Sequence, residues 1–349
     1  AAFQDVLIYL CKGIAVRNLA AMEKGKGNPA AGLFIEEALF ATLTNVNFDK
    51  DRFIAMIHQA VAMRDALEKS GSTEPDACTW RPKGESDILE KAKTVGTLST
   101  ANEDVRSLRS TLLFGLKGMS AYYTHAAILG KTDAAITTFI QKGLASTLKD
   151  LPVPDMVALV LECGKVGVST LALLDEANTA AYGNPRVTSV KTTVGKRPGI
   201  LITGHDLKDL EMLLEQSKNA GVDVYTHGEM LPAHAYPAFK KYSHLSGNYG
   251  SSWWHQKEEF ELFNGPVLFT TNCLVPPRDS YKNRLFTTGL TGYPGVPHIE
   301  AGPGGKKDFS RIIAFARTCQ PPRELPGSGK EIITGCAQDA DLALADQVV

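Results

Sequence analysis

The sequence has few of the features expected of secreted, membrane-embedded or nucleic-acid-binding proteins. Its six cysteines are scattered singly over 349 residues without a CxxC pair, which excludes a disulfide framework and favours a reducing cytosol. No apolar run reaches the roughly 18 uninterrupted residues of a membrane-spanning helix, since charged residues and glycines break even the stretch 156–174. With 37 Lys and Arg against 38 Asp and Glu, the net charge of −1 offers no cationic surplus to nucleic acid. We therefore expect a cytoplasmic protein with neither a membrane nor a nucleic acid as its partner.

What the chain does have is the composition of a globular protein of two domains. Hydrophobic residues make up 44% and charged residues 21% of the sequence. At about 150 residues per domain, the length predicts two domains with sizeable cores. The pattern changes after the turn at residues 182–185, so we expect a helical domain over 1–190 and an α/β domain over 191–349. The N-terminal residues have no basic segment and no cleavage site, and no secretory signal is expected.

The first half shows helical periodicity throughout. Apolar residues recur at three- and four-residue steps between Phe3 and Ile14, which predicts one face of a first helix. We expect an all-helical, three-helix-bundle-like domain. Its further helices are predicted to begin at Asn47 (to Leu67), at Thr100 (to about Leu129), at Thr132 and near Pro154 (to about Ala180).

The second half shows short β-branched runs that alternate with helical stretches. Residues 198–204 and 221–227 form apolar runs bounded by glycines, and the amphipathic stretch 206–219 lies between them. This is a βαβ unit, whose two strands are parallel. A third strand is predicted over 265–271, with weaker signals for a strand at 285–288 and a helix at 308–318. The fold class is therefore α followed by a Rossmann-like open α/β domain with a largely parallel sheet.

Three side chains that can bind metals follow three of these predicted strands. His205 follows the first, Glu229 the second and Cys273 the third. Ligands in open α/β sheets bind beyond the carboxyl ends of the strands, so the three could converge on one point. Their spacings of 24 and 44 residues match no compact zinc motif. Each also has an ordinary structural interpretation, as a helix cap, a partner of a helix dipole and a buried thiol, respectively.

The segment 225–255 is dense in histidine, tyrosine and tryptophan. Such rings can wall a pocket, and they can equally form an aromatic seam between domains. Within this segment, His227 and Tyr225 are candidates for orienting ligands or delivering protons.

Several long motifs make a family resemblance specific. GILITGHDLKDL (199–210), VYTHGEMLPAHAYP (224–237), GNYGSSWW (247–254) and LFTTNCLVPP (268–277) resemble the hybrid-cluster protein family, also called prismane proteins or hydroxylamine reductases. LFATLTNVNFD (39–49) and LLDEANTAAYGNP (173–185) extend the resemblance into the helical half, in order along the chain.

The resemblance implies an enzyme that reduces hydroxylamine to ammonia, with nitric oxide as a further substrate and an electron-donor protein as partner. It implies a hybrid iron–sulfur–oxygen cluster at a domain interface and a cubane-type iron–sulfur cluster near the N-terminus. By motif, His205, Glu229 and Cys273 fall on cluster ligands, and His205 and Glu229 on the iron that takes part in catalysis. A mixed set of nitrogen, oxygen and sulfur donors suits iron that keeps a position open for substrate.

The resemblance also implies that parts of the family pattern lie outside this sequence. The cubane cysteines belong to a short N-terminal stretch that the sequence does not contain, and further hybrid-cluster ligands belong to a second α/β domain. We expect this chain to be an incomplete part of the enzyme, inactive by itself.

Two other functions remain open from the residues alone. The first is a scaffold or binding module in which the His, Glu and Cys are incidental. The second is a thiol hydrolase with Cys273 as nucleophile, although no nucleophile signature surrounds this cysteine.

Overall fold

A computed structural model describes residues 1–336, which divide into two units. The first unit comprises Ala1–Leu43 and Asp49–Asp175, and the second comprises Thr44–Phe48 and the described residues from Glu176 onward. The division falls within the last long helix, and the predicted boundary near residue 190 lies in the strand that follows this helix.

The first unit is built from helices alone. Its central helix, α1, packs against α2, α3, α4 and α6, and α2 packs against α5. The helices are α1 (Ala2–Glu23), α2 (Pro29–Ala41), α3 (Lys50–Ala66), α4 (Glu85–Val95), α5 (Glu103–Ile128), α6 (Ala134–Ser146) and α7 (Val153–Tyr182), whose last turns belong to the second unit. The expectation of a helical N-terminal region is confirmed, but the sequence did not predict α2 and α4.

Three helices have their N-terminal cap one or two residues later than predicted. In each, the capping side chain is the acidic or amide residue directly before the first turn, where its oxygen reaches the free amides of that turn. The caps are Asp49 in place of Asn47, Asn102 in place of Thr100, and Asp133 in place of Thr132. The hydroxyl of Thr100 instead accepts a hydrogen bond from Arg109 at 3.2 Å.

Helix α7 is apolar and exposed to an unusual degree. Its length and composition would suffice to cross a membrane, and only 11% of its most apolar stretch is buried in the structure. A single helix of this kind is weak evidence for a membrane span, since core helices of soluble proteins share this composition. The absence of a membrane partner therefore stays a prediction.

The second unit contains a six-stranded sheet in which every neighbouring pair is parallel. Its strands are β2 (Gly199–Thr203), β3 (Asp223–His227), β4 (Leu245–Asn248), β5 (Val267–Phe269), β6 (Leu285–Thr288) and β7 (His298–Ile299), after β1 (Thr188–Lys191). Strand β1 pairs antiparallel with β8 (Glu331–Thr334) in a separate small sheet. The helices are α8 (Leu207–Ser217), α9 (Gln256–Phe263), α10 (Asp279–Lys282) and α11 (Ser310–Ala316). The predicted βαβ unit and open parallel sheet are confirmed.

The order of the strands gives this sheet a point of reversal. Across the sheet the order is β4, β3, β2, β5, β6, β7, so the chain winds outward from β2 in one direction and then from β5 in the other. Neighbouring loops diverge where the winding reverses, which makes the crevice beyond β2 and β5 the usual ligand site of such sheets. An aromatic and aliphatic core anchors these strands through residues such as Leu201, Phe260 and Phe269.

Candidate functional site

The three candidate donors lie beyond the carboxyl ends of three adjacent strands. His205 comes two residues after β2, Glu229 two residues after β3, and Cys273 four residues after β5. Since β3, β2 and β5 are neighbours in this order, the donors flank the point of reversal. Residues far apart in sequence are thus brought to one edge of the sheet.

His205 and Glu229 are in direct contact. The imidazole Nε2 of His205 lies 2.5 Å from Glu229 Oε2, and its Nδ1 lies 2.9 Å from the hydroxyl oxygen of Thr271. Both ring nitrogens are therefore engaged, which fixes the plane of the ring. The side chains stay accessible, with 32% of His205 and 58% of Glu229 exposed. This is a solvent-facing nitrogen and oxygen donor pair whose orientation is set by the loop after β5.

Gly204 allows the loops after β2 and β5 to come close enough for His205 to contact Thr271. Gly204 has a φ of +107°, and a Cβ at this position would lie 2.5 Å from Thr270 Oγ1 and 2.7 Å from the amide nitrogen of Thr271. No L-amino acid fits this position without displacing backbone. The glycine before His205 is thus a steric condition for its contact with Thr271.

Cys273 occupies a turn with an unusual backbone conformation. Its φ of +74° is left-handed, a region that non-glycine residues rarely adopt. Hydrogen bonds hold the turn: the Gln256 side chain donates to the Cys273 carbonyl and accepts from the Val275 amide at 3.2 Å, and the Leu274 amide donates to Asn45 at 3.0 Å. Strained residues that the surroundings hold in place cluster at functional sites.

The Glu229 carboxylate acts electrostatically on the Cys273 thiol. Burial, and secondarily the charge of Glu229, raise the pKa of Cys273 to about 11. The thiol is therefore protonated at neutral pH, opposite to the lowered pKa of a catalytic nucleophile. A bound cation would reverse this balance, because a coordinating thiol loses its proton.

The three donors fit one side of a metal site rather than a closed site. Within residues 1–336, no group of three or more His, Cys, Asp or Glu side chains has the arrangement of a metal site. His205 and Glu229 are hydrogen-bonded to each other at 2.5 Å, and the charge of Glu229 acts on the Cys273 thiol. The donor types match iron with mixed coordination, but iron–sulfur clusters are held mainly by several thiolates.

His227 and Tyr225, the candidates for orienting ligands or delivering protons, make hydrogen bonds to residues other than the three donors. The fully buried ring of His227 lies 3.1 Å from the Thr203 hydroxyl and 2.9 Å from Glu259. The hydroxyl of Tyr225 accepts a hydrogen bond from the Gly195 amide at 2.7 Å. Both side chains join β3 to neighbouring segments, and their part in orienting ligands or delivering protons stays a prediction.

The other rings of segment 225–255 are also largely structural. Tyr249 belongs to the core of the second unit, and burial lowers the pKa of His234 to about 4, so that this imidazole is neutral. Three consecutive rings at the end of the segment are exposed: Trp253 and Trp254, at 39% and 58%, and His255.

Sequence reasoning missed the residues that position the donors. Thr271 holds the ring of His205, and Gln256 holds the turn of Cys273. The threonine pair directly after an apolar strand was a usable signal, because polar residues at a strand's carboxyl end face the crevice. The glutamine gave no such signal, since its partners are backbone groups 17 and 19 residues away.

Comparison with known proteins gives a family match over nearly the whole chain. The model of the Prismane/CO dehydrogenase family matches residues 1–344. The chain is 54% identical over 357 residues to a protein of Thermoanaerobacter pseudethanolicus named hydroxylamine reductase. Proteins of the same name from Caldanaerobacter subterraneus and Desulfitobacterium hafniense are 52% and 53% identical, each over 359 residues. All three alignments cover 100% of this chain and 65% of the relative.

Among solved structures, a carbon monoxide dehydrogenase from Thermococcus sp. AM4 aligns with 99% of this chain and 54% of its own. The TM-score is 0.42 and the sequence identity 14%.

Proposed function

Since this chain belongs to the Prismane/CO dehydrogenase family, we propose that it is part of an iron–sulfur oxidoreductase that reduces hydroxylamine. The chain spans about 65% of the length of the hydroxylamine reductases that it matches. The reaction takes up two electrons and two protons, cleaves the N–O bond, and releases ammonia and water. Nitric oxide is a second proposed substrate, and an electron-donor protein a proposed partner.

The observation that carries this proposal is the contact between His205 and Glu229 at the point of strand reversal. The His205–Glu229 pair faces solvent beyond the strand ends, whereas a second histidine–carboxylate pair at this sheet edge, His227 with Glu259, is buried. The ring is held from the far side by Thr271, as metal-binding histidines are commonly held by a hydrogen bond at the second nitrogen.

In the proposed enzyme, His205 Nε2, Glu229 and the Cys273 thiolate hold part of a hybrid iron–sulfur–oxygen cluster. When bound, such a cluster supplies electrons and an iron with an open position for the N–O substrate. The family resemblance adds a cubane-type cluster in a longer protein. The one thiolate of this set leaves other sulfur donors to be supplied from outside the described residues.

The chain's own residues contribute orientation of the donors. Thr271 fixes the plane of the His205 ring, and the ring's Nε2 lies beside Glu229 Oε2. Glu229 is more than half exposed, so this nitrogen and oxygen pair is accessible from solvent. The six free cysteines agree with the proposal that the protein works in the cytoplasm, where thiols stay reduced.

The alternative functions differ in measurable ways. A thiol hydrolase needs an activated thiolate, and the raised pKa of Cys273 argues against it. A scaffold or binding module would contain no iron. Iron and acid-labile sulfide analysis, after anaerobic purification of a protein of the relatives' full length that carries this chain, separates a scaffold from a redox enzyme.

The test of the proposed activity compares variants of that full-length protein with a chemical electron donor. We expect His205→Ala and Glu229→Ala to lose hydroxylamine reduction, while His58→Ala, which alters an exposed histidine on α3, retains it. Thr271→Val should lower the rate by about tenfold, the range of losses typical for partners of metal ligands, and Thr271→Ser should restore it. Unchanged rates in both His205→Ala and Glu229→Ala would refute the assignment.

A further inference from the structure

The helical unit contains a cavity that has no part in the site at the sheet edge. It encloses about 350 Å³ and lies between α1, α4, α5 and the segments that follow α4 and α6. This volume is in the lower range of small-molecule sites and far above that of a single water. We call it the cationic cavity, because Lys12, Lys91, Arg106 and Arg109 line it, against the two carboxylates of Asp5 and Asp150.

Two of the four cations already have partners. Lys91 pairs with Asp76 and lies 4.8 Å from the centre of the Tyr9 ring. Arg109 donates to the Lys149 carbonyl at 2.8 Å and contacts Asp150 at 3.4 Å. These contacts fix the two side chains at the wall of the cavity.

The other two cations are not neutralised. In the described part of the chain, the ammonium of Lys12 has neither a hydrogen bond nor an ion pair, although the side chain is partly buried. Arg106 donates to the Thr100 carbonyl at 3.2 Å, and its nearest carboxylate, Glu103, is 3.8 Å away and 85% exposed. An exposed pair at this distance contributes little.

Asp5 does not form an ion pair that would neutralise Lys12. Its charge acts on Lys12, but no ion pair within 4.0 Å joins the two side chains in the described structure. Burial, and then the charge of Arg109, lower the pKa of Lys12 to about 8, against the opposing effect of Asp5. Positive charge thus predominates around this ammonium.

We propose that the cationic cavity binds a phosphate group, held by the Lys12 ammonium and the Arg106 guanidinium. Outside the pairs Lys91–Asp76 and Arg109–Asp150, the lining has two cations, Lys12 and Arg106, against one carboxylate, Asp5, so its remaining charge is positive and suits an anionic phosphate group. A guanidinium and an ammonium are the side chains that most often bind phosphate oxygens. The volume accommodates a small organic group beside the phosphate, so free phosphate and a phosphate monoester are both ligands of this chemistry.

The test uses the 349-residue chain and two probes, inorganic phosphate and glycerol 3-phosphate, with sodium chloride at matched ionic strength as reference. Binding is measured by titration calorimetry. Occupancy at the site is measured by mass spectrometry, as protection of Lys12 from an amine-modifying reagent. The variants are Lys12→Met and Arg106→Gln, which remove a charge and keep most of the side chain. Lys93→Met on α4 is the control, since Lys93 is exposed and lies outside the cavity.

We expect at least one phosphate probe to bind and to protect Lys12, and chloride to do neither. Each cavity variant should weaken the binding by about tenfold or more, the value of a charge-assisted hydrogen bond, and the control should leave it unchanged. The probe that binds more tightly identifies free phosphate or a monoester as the ligand. Equal protection by chloride, no binding at millimolar phosphate, or equal binding by both cavity variants and the control would overturn the proposal.

Discussion

Glu36 is a carboxyl group that is buried in the helical unit without a hydrogen-bonding partner. It lies on α2 with no exposed surface, and neither side-chain oxygen has a partner among the described residues. Burial, as the largest cause, raises its pKa to about 8; the nearby Thr137 hydroxyl has a smaller, opposite effect, and the charge of Glu37 raises the pKa further. We therefore expect Glu36 to be protonated in the folded protein at neutral pH and ionised in the unfolded chain.

This difference makes the free energy of unfolding depend on pH in a defined direction. Below the ordinary pKa of 4.5 the group is protonated in both states and costs nothing through ionisation. As the pH rises from 4.5 to about 8, the unfolded chain releases the proton first, so the folded state loses stability. At about 1.4 kcal/mol per pH unit, the loss between about pH 5 and pH 7 is about 2.5 kcal/mol.

The substitution Glu36→Gln should remove this dependence. A buried amide adds a cost that does not vary with pH. The unfolding free energy of the variant relative to that of the parent should therefore rise by about 2.5 kcal/mol between about pH 5 and pH 7. Urea unfolding followed by the helical circular dichroism signal measures it. Glu23→Gln, at the exposed end of α1, is the matched control and should give curves parallel to the parent. Parallel curves for Glu36→Gln as well would refute the reasoning.

Three further predictions concern the second unit. Gly204→Ala should destabilise the protein by about 1–3 kcal/mol in thermal unfolding, because the backbone there has a positive φ and the added Cβ meets the loop after β5. The control Gly118→Ala, in open space on α5, should be neutral or stabilising. Lys307→Met should lower the free energy of unfolding by about 3–5 kcal/mol because it leaves buried Asp209 without its ion pair. Adding Asp209→Asn should recover much of this loss. A single variant that is no less stable than the double variant would contradict the prediction. Anaerobic reconstitution of this chain with iron and sulfide should give no stoichiometric cluster by iron analysis, because the three donors include one thiolate, and a full cluster would show that our ligand set is wrong.

The sequence predicted those elements whose pattern differs between buried and exposed faces. The βαβ unit was found because α8 is amphipathic and its flanking strands are short apolar runs. Helix α2 was missed because it is buried on nearly every side, from Ala31 through Ala41, so its apolar residues show no helical period. Strands β4 and β7 were missed because they are short and are not apolar throughout.

The candidate donors could be predicted, but their geometry could not. His205, Glu229 and Cys273 were identified by their position after strands and by motif. The contact of His205 with Thr271 depends on β2 and β5 being neighbours, which no local pattern reveals. Hydrogen bonds to the Cys273 turn come from Gln256 and depend on the packing of α9, which is equally non-local. The assignment of the three donors as ligands stays a prediction.

The reversal of winding between β2 and β5 has a consequence for the order of maturation. The three donors are separated by 24 and 44 residues, so an unfolded or nascent chain offers them to a metal only one at a time. They meet once β3, β2 and β5 have paired, and this pairing must include the steric fit at Gly204. On the proposed assignment of these donors as ligands, insertion of iron at this edge would have to follow the folding of the sheet, and a factor that delivers iron would have to recognise a folded protein.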